Sequence, residues 1–338
     1  MPRPVSPSPA TSLKDLPEIL EPLRADLDLV GERYRAVLEG TSWRIQDMVT
    51  QAARFQGKRL RPALTCLAAR VAGRPVTQDV ATVAAIIELI HTATLVHDDI
   101  LDGAEVRRKV ATLNARWGDQ VAVLVGDVLF NKAYLAAARL QDRFASRYLS
   151  EVMEEVLEGE IHQDLVSRHV DLSEAEYREI IRGKTAALYE ASLVVGAHYA
   201  GAGPTLSDAL GRFGHHVGMA FQIVDDRLDL TGDEATVGKT LGRDLLEGKT
   251  TLPVIYWLAS RPDGDRPAAR ALVESSWEDP KAGLRLAHRL AEDGSLTRAD
   301  AAARVEIEAA VAQLGGIPQG AERNLLETIA RYILVRSF

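Results

Sequence analysis

The sequence carries the same short acidic motif twice, and each copy closes an apolar run. His97-Asp98-Asp99-Ile100-Leu101-Asp102 follows Thr94-Leu95-Val96, and Val224-Asp225-Asp226-Arg227-Leu228-Asp229 follows Ala220-Phe221-Gln222-Ile223. Both read D-D-x-x-D. On a helix, positions i, i+1 and i+4 project near one face, so each copy presents carboxylates to one side. Carboxylates beside a hydrophobic helix body are costly unless something cationic neutralises them. A single copy reads equally well as a solvated helix end. Two copies with one spacing, each at the end of an apolar run, point to a shared task.

The rest of the chain is patterned for helices. Apolar residues recur at three- and four-residue spacings in Leu20-Leu23-Leu27-Val30, Leu149-Val152-Val156 and Leu325-Ile329-Ile333, and no alternating run is long enough to propose a sheet. With 46% hydrophobic residues but only 5% aromatics, the core must be built from Ala, Leu, Val and Ile, which favours helices over a β-sandwich. The fold class expected is all-α. Val80–Asp102 is apolar on nearly every face until its end, as befits a helix at the centre of a bundle. Glu88 and His91 interrupt its apolar stretch, so no transmembrane segment is expected. The Pro/Ser-rich residues 1–12 lack the apolar region of a signal peptide and read as a disordered tail before one domain over 13–338. Short turn clusters interrupt the helices, and the polar stretch 260–266 marks a seam, with a helical C-terminal subdomain from about 267. The lone Cys66, flanked by Leu64, Leu67 and Ala68, reads as a buried small hydrophobe. It excludes an intrachain disulfide and fits a reducing compartment, so the expectation is a soluble, cytoplasmic protein.

Two carboxylate rows with oxygen-only ligands suit a hard cation, and Mg²⁺ is the natural choice where phosphates share the coordination. Two like charges about 4 Å apart cost roughly 4 kcal/mol at an effective dielectric of about 20. Such rows cannot hold a polyanion directly, but they can hold metal ions that hold a diphosphate. The net charge of -8 argues against nucleic acid as the partner and requires the remaining cations to be local. They occur in Gly57-Lys58-Arg59-Leu60-Arg61-Pro62, in Arg107-Arg108-Lys109 just beyond Asp102, in Lys184-Thr185, and at Lys239 and Lys249. Gly232…Gly238-Lys239-Thr240 and Gly242…Gly248-Lys249-Thr250 look like P-loops, but each places five residues between its glycines where a P-loop has four. A nucleotide site is therefore rejected.

Taken in order, the blocks GKRLRP, ELIHTATLVHDDILD, RRKVATLN, AVLVGDVLF, EGEIHQ, GKTAALYEAS, AFQIVDDRLDL and VGKTLGRDLLEGKTTLP resemble the trans-polyprenyl diphosphate synthase family, from about Gly57 to Pro253. The resemblance implies a single-domain helical bundle around a deep central cavity, usually a homodimer. It implies a Mg²⁺-dependent prenyltransferase that joins isopentenyl diphosphate to an allylic prenyl diphosphate, with three ions when diphosphate is bound. Asp98, Asp102 and Asp225 would ligate the metal, with Asp99, Asp226 and Asp229 in support. Lys58, Arg61, His91 and Arg108 would hold isopentenyl diphosphate. Arg107, Lys184 and Lys239 would grip the allylic diphosphate, while Thr185 and Gln222 would flank the reacting carbons. Released pyrophosphate would serve as the base. Two positions depart from the family pattern, since Gln56 and Lys109 stand where glycines are usual.

Product length is read from the helix carrying Asp98. Thr94, Ala93 and Ile90 are expected along the tail's wall, and the first two are small enough to let it pass, which favours a long product of the kind used for quinone side chains. Phe130, Tyr134 or Phe144 as a cavity floor would instead give farnesyl or geranylgeranyl diphosphate. A terpene cyclase would need neither the second aspartate repeat nor the Lys58/Arg61 pair. A non-catalytic subunit of a heteromeric synthase would be expected to lack some of the aspartates or arginines, and none is missing.

Overall fold

The structure, a computed structural model, describes residues 15–55, 57–231 and 242–336. Gln56, Lys239 and the 1–12 segment lie outside the described residues. Numbering the longer helices in chain order, α1 is Arg24–Leu38, α2 Leu60–Val71, α3 Gln78–Leu101, α4 Asp119–Arg139 and α5 Phe144–Leu165. α6 (Glu174–Ile181) widens into a π turn over Arg182–Ala186 and continues as α7 (Ala187–Tyr199). α8 spans Pro204–Thr231, followed by α9 (Leu252–Ala259), α10 (Arg266–Ser276), α11 (Pro280–Glu292), α12 (Ser295–Gln313) and α13 (Ala321–Val335). Among the described residues the strands are confined to one small hairpin, β1 (Val106–Arg107) antiparallel to β2 (Val110–Ala111). The expected all-α bundle is what forms.

α3 is the central helix. Thr77 caps it by accepting a hydrogen bond from the Val80 amide at 3.3 Å, and every residue from Val80 to Ile90 is buried. It packs against α1, α2, α4 and α7, so no face is left to be polar. By length and composition alone, α3 and α4 are apolar enough to cross a membrane, yet 78% of the apolar window of α3 is buried inside the bundle and only 33% of that of α4. The second long axis is α8, which packs on α7 and α12. Gly218 permits the close approach of α8 to the π turn, because a Cβ there would lie 2.5 Å from the Ala186 Cα. α3 and α8 thus each carry an aspartate motif to their C-terminal ends. Beyond α8, Leu230, Leu245, Val254, Trp257, Val273, Leu286 and Leu290 form a separate small apolar cluster under α9, α10 and α11.

Candidate active site

A cavity of about 830 Å³ opens at the ends of α3 and α8, a size suited to a small-molecule site. Asp98 and Asp102 line it from α3, and Asp225 and Asp229 from α8. The middle aspartates stand behind this front. Asp99 is 1% exposed and accepts from Arg107 Nε at 2.8 Å. Asp226, also buried, accepts from the Tyr177 hydroxyl at 2.6 Å and from Gln222 Nε2 at 2.7 Å. Residues 242–249 tie the two rows together. The Asp244 amide donates to Asp229 Oδ2 at 3.1 Å, while Lys249 Nζ lies 3.5 Å from Asp102 Oδ1 and 4.0 Å from Asp244 Oδ1. Arg243 Nη2 donates to the Asp102 carbonyl at 2.7 Å.

Burial makes Asp98 and Asp229 hold their protons more tightly than free carboxyls. It pushes Asp98 up to about 7, helped by Glu160, and Asp229 up to about 8, helped by Asp244. Lys184 Nζ sits 3.2 Å from Glu160 Oε2. Burial works against the Lys184 charge, but Glu160 and Asp98 outweigh it and raise its pKa. The cavity-facing donors of the two rows are carboxylate oxygens throughout, the chemistry Mg²⁺ prefers. Among the described residues no three His, Cys, Asp or Glu side chains converge into a closed cage.

Lys58, Arg61, His91 and Arg108 also share the cavity wall. The Arg61 guanidinium lies over the Tyr189 ring at 4.4 Å. Burial, then Arg336 and Arg108, depress Lys58, and burial, then Arg107, depresses Arg108. Cations crowded enough to lower one another create a local positive field that favours an anion. His91 is held far below its usual value by burial and by Arg61, so it is a neutral hydrogen-bonding group rather than a third positive charge. Arg108 donates to the Phe55 carbonyl across Gly57, where a Cβ would fall 2.3 Å from Arg108 Nη2. Arg108 and Lys109 form the two-residue turn of the β1–β2 hairpin at φ 51° and 66°. Such a turn requires left-handed backbone at both positions and favours glycine, which explains why Lys109 is an unusual choice there.

The π turn aims Lys184 and Thr185 into the cavity. Thr185 Oγ1 donates to Gln222 Oε1 at 2.7 Å. Leu95, Val156 and Leu188 supply aliphatic surface to the cavity wall, together with Thr94. Ala93 and Ile90, expected on that wall, are instead fully buried in the core because they lie off the Asp98 face of α3. Phe130, Tyr134 and Phe144 do not line the cavity. The Phe130 ring sits 5.6 Å from that of His97, and Phe144 stacks on His198 at 3.7 Å and on Tyr148 at 5.2 Å. Lys239 lies outside the described residues. Sequence reasoning missed Glu88, Glu160, Arg243, Asp244 and Arg336 as parts of this wall. Glu160 and Asp244 fall inside blocks that carried the resemblance, whereas Arg336 had no local signal at all.

The family model described as polyprenyl synthetase matches residues 43–283. The chain belongs to that family. It is therefore a prenyltransferase that builds all-trans polyprenyl diphosphates. It is 35% identical over 316 residues to "Heptaprenyl diphosphate synthase component 2" of Geobacillus stearothermophilus, covering 94% of this chain and 97% of that one. It is equally 35% identical over 328 residues to "Short chain isoprenyl diphosphate synthase" of Methanothermobacter thermautotrophicus, covering 94% of this chain and 99% of that one. Among solved structures, a polyprenyl synthase from Caulobacter crescentus CB15 complexed with calcium and isoprenyl diphosphate superposes with a TM-score of 0.90. Identity to it is 32%, over 96% of this synthase and 99% of that chain. Relatives of equal identity thus make products of different length, and identity does not fix the length here.

Proposed function

We propose that this synthase uses Mg²⁺ to condense isopentenyl diphosphate with an allylic prenyl diphosphate, and that its product is longer than geranylgeranyl diphosphate. The observation that carries the metal reading is the pair of aspartate rows, Asp98/Asp102 and Asp225/Asp229, lining one cavity that also holds Lys58, Arg61, Arg107, Arg108 and Lys184. Asp98, Asp102 and Asp225 would hold the metal, with Asp229 beside them and Asp99 and Asp226 fixing their neighbours from behind. Held by these carboxylates, Mg²⁺ would offset the charge of the diphosphate and make it a better leaving group. Arg107 and Lys184 bind that leaving diphosphate. Lys58, Arg61 and Arg108 bind the isopentenyl diphosphate, with neutral His91 as a hydrogen-bond partner. The allylic carbon–oxygen bond breaks with its electron pair leaving on pyrophosphate. The isopentenyl double bond then attacks the allylic cation, and a proton passes to the departed pyrophosphate. Thr185 and Gln222 face the reacting carbons with oxygen lone pairs.

The long product is supported by Phe130 and Phe144 being turned to His97 and His198 rather than to the cavity, and by aliphatic Leu95, Val156 and Leu188 on the wall beside Asp98 and Lys184. The purified chain, given Mg²⁺, labelled isopentenyl diphosphate and farnesyl diphosphate, should yield prenols beyond the geranylgeranyl size after dephosphorylation. Leu188→Phe should shorten them. Termination at geranylgeranyl in the wild type would sink the long-product reading and leave the reaction intact.

We further infer a homodimer in a reducing, cytoplasmic setting. Leu157, Ile161 and Leu165 form an exposed apolar stripe on α5, and Val123 and Leu124 are exposed on α4. Sedimentation of the purified chain tests this. The name of the Geobacillus relative, a component 2, favours a second reading in which a different subunit covers that face. Activity of the chain alone would exclude an obligatory partner.

A further inference from the structure

We propose that Tyr177 is a positioning residue for prenyl transfer, acting through Asp226 and Gln222 on the hydroxyl of Thr185. The inference rests on the reading that Thr185 and Gln222 flank the reacting carbons. Tyr177 belongs to α6 and does not line the large cavity. It borders a second, smaller space of about 50 Å³ behind it, shared with Asp226 and Gln222. Its hydroxyl donates to Asp226 Oδ2 at 2.6 Å. From there a continuous chain runs forward, Gln222 Nε2 donating to Asp226 Oδ1 at 2.7 Å and Thr185 Oγ1 donating to Gln222 Oε1 at 2.7 Å. Two of these bonds join α8 to α6 and its π-turn continuation, and the third lies within α8.

The chain has a direction, and the direction matters chemically. A glutamine amide has a donating and an accepting end, and turning it over reverses what it asks of its neighbour. With its NH₂ on Asp226, Gln222 must turn its oxygen to Thr185. Thr185 must then spend its proton on Gln222, which leaves only lone pairs to face the cavity. A hydroxyl in that orientation stabilises positive charge developing on an allylic carbon, and the reversed hydroxyl opposes it. Tyr177 supplies the second bond that fixes the Asp226 carboxylate. At 3% and 5% exposure, Tyr177 and Asp226 are shielded from bulk solvent, and only the small space behind them offers room for a water in place of the hydroxyl.

Tyr177 also packs in the core beside Ile181 and Ile223, so the test must separate packing from orientation. Tyr177→Phe keeps the ring and deletes the hydroxyl. In full-length enzyme with Mg²⁺, isopentenyl diphosphate and farnesyl diphosphate, kcat should fall about tenfold, the loss of one well-placed hydrogen bond. Both KM values should stay within about twofold. Binding of inorganic pyrophosphate with Mg²⁺, followed by calorimetry, should be unchanged. In a Thr185→Val background the same substitution should cost nothing further, because the group it orients is gone. Wild-type turnover in Tyr177→Phe, losses that multiply in the double variant, or a parallel loss of pyrophosphate affinity would each overturn the inference while leaving prenyl transfer standing. A wild-type chain inactive with every primer would overturn both.

Discussion

Arg336 Nη2 lies 3.0 Å from Asp225 Oδ1, so the last described residue closes on the second aspartate row. The guanidinium also stacks on the Phe221 ring at 3.9 Å and donates to the Phe221 carbonyl at 3.0 Å. A protein cation thus already neutralises a carboxylate that Mg²⁺ would use. Asp225 is 43% exposed, which limits the pair to roughly 1 kcal/mol. Arg336→Gln should therefore lower the Mg²⁺ concentration for half-saturation, measured calorimetrically without diphosphate, by about fivefold. An unchanged or higher midpoint would show that arginine and metal do not compete for Asp225.

Gly57 is constrained by what crosses it. A Cβ at this position would overlap the Arg108 guanidinium, the far end of a flexible side chain, which can swing away at little cost to folding. Gly57→Ala should leave the thermal midpoint nearly unchanged and raise the KM for isopentenyl diphosphate by about tenfold, the worth of one charge-assisted phosphate contact. An unaltered KM would mean that Arg108 does not hold that substrate.

Lys109 adopts a φ of 66° in a turn built for glycine. A side chain in left-handed backbone costs about 1–2 kcal/mol, offset in part by the unfolded-state entropy that glycine would add. Lys109→Gly should raise the thermal midpoint by about 2 °C in scanning calorimetry. A lowered midpoint would show that the lysine makes contacts which outweigh its backbone strain.

Much of this site was legible because its parts are local. The D-D-x-x-D spacing placed Asp98 and Asp102 on one face, and the structure puts both on the cavity wall. The middle residue of each motif was not so easily read. Consecutive helical residues are turned about 100° from each other, so Asp99 and Asp226 point to Arg107 and Tyr177 rather than into the cavity. The same rotation takes Ala93 into the core while Thr94 lines the cavity. Contacts between distant stretches left no local pattern. Arg336 meets Asp225 across 111 positions, and Phe144 is turned aside by His198, a partner on another helix. Periodicity reports which face of a helix is buried, not which side chain will cover it.

The raised aspartates make stability depend on pH in a way that metal should reverse. Burial lifts Asp98 and Asp226 to about 7 and Asp229 to about 8, against an ordinary value of 3.8. The folded protein therefore binds protons that the unfolded chain has released. The contribution is fully present below about pH 4 and is lost as pH rises through about 7 to 8. Glu306 has the opposite sign. Burial would raise it, but His216 and Arg178 hold it low, so its contribution is lost only on acidification. Between about pH 6 and about pH 8.5 the aspartates alone titrate among these groups, and the metal-free midpoint should fall across that window. Mg²⁺ with pyrophosphate replaces the protons by fixed positive charge and should flatten the slope. Asp229→Asn, which cannot ionise, should remove part of the slope without metal. A metal-free midpoint that rises with pH over this range would mean that the aspartate rows are already charged and compensated in the empty enzyme, with Lys249 and Arg336 supplying the compensation.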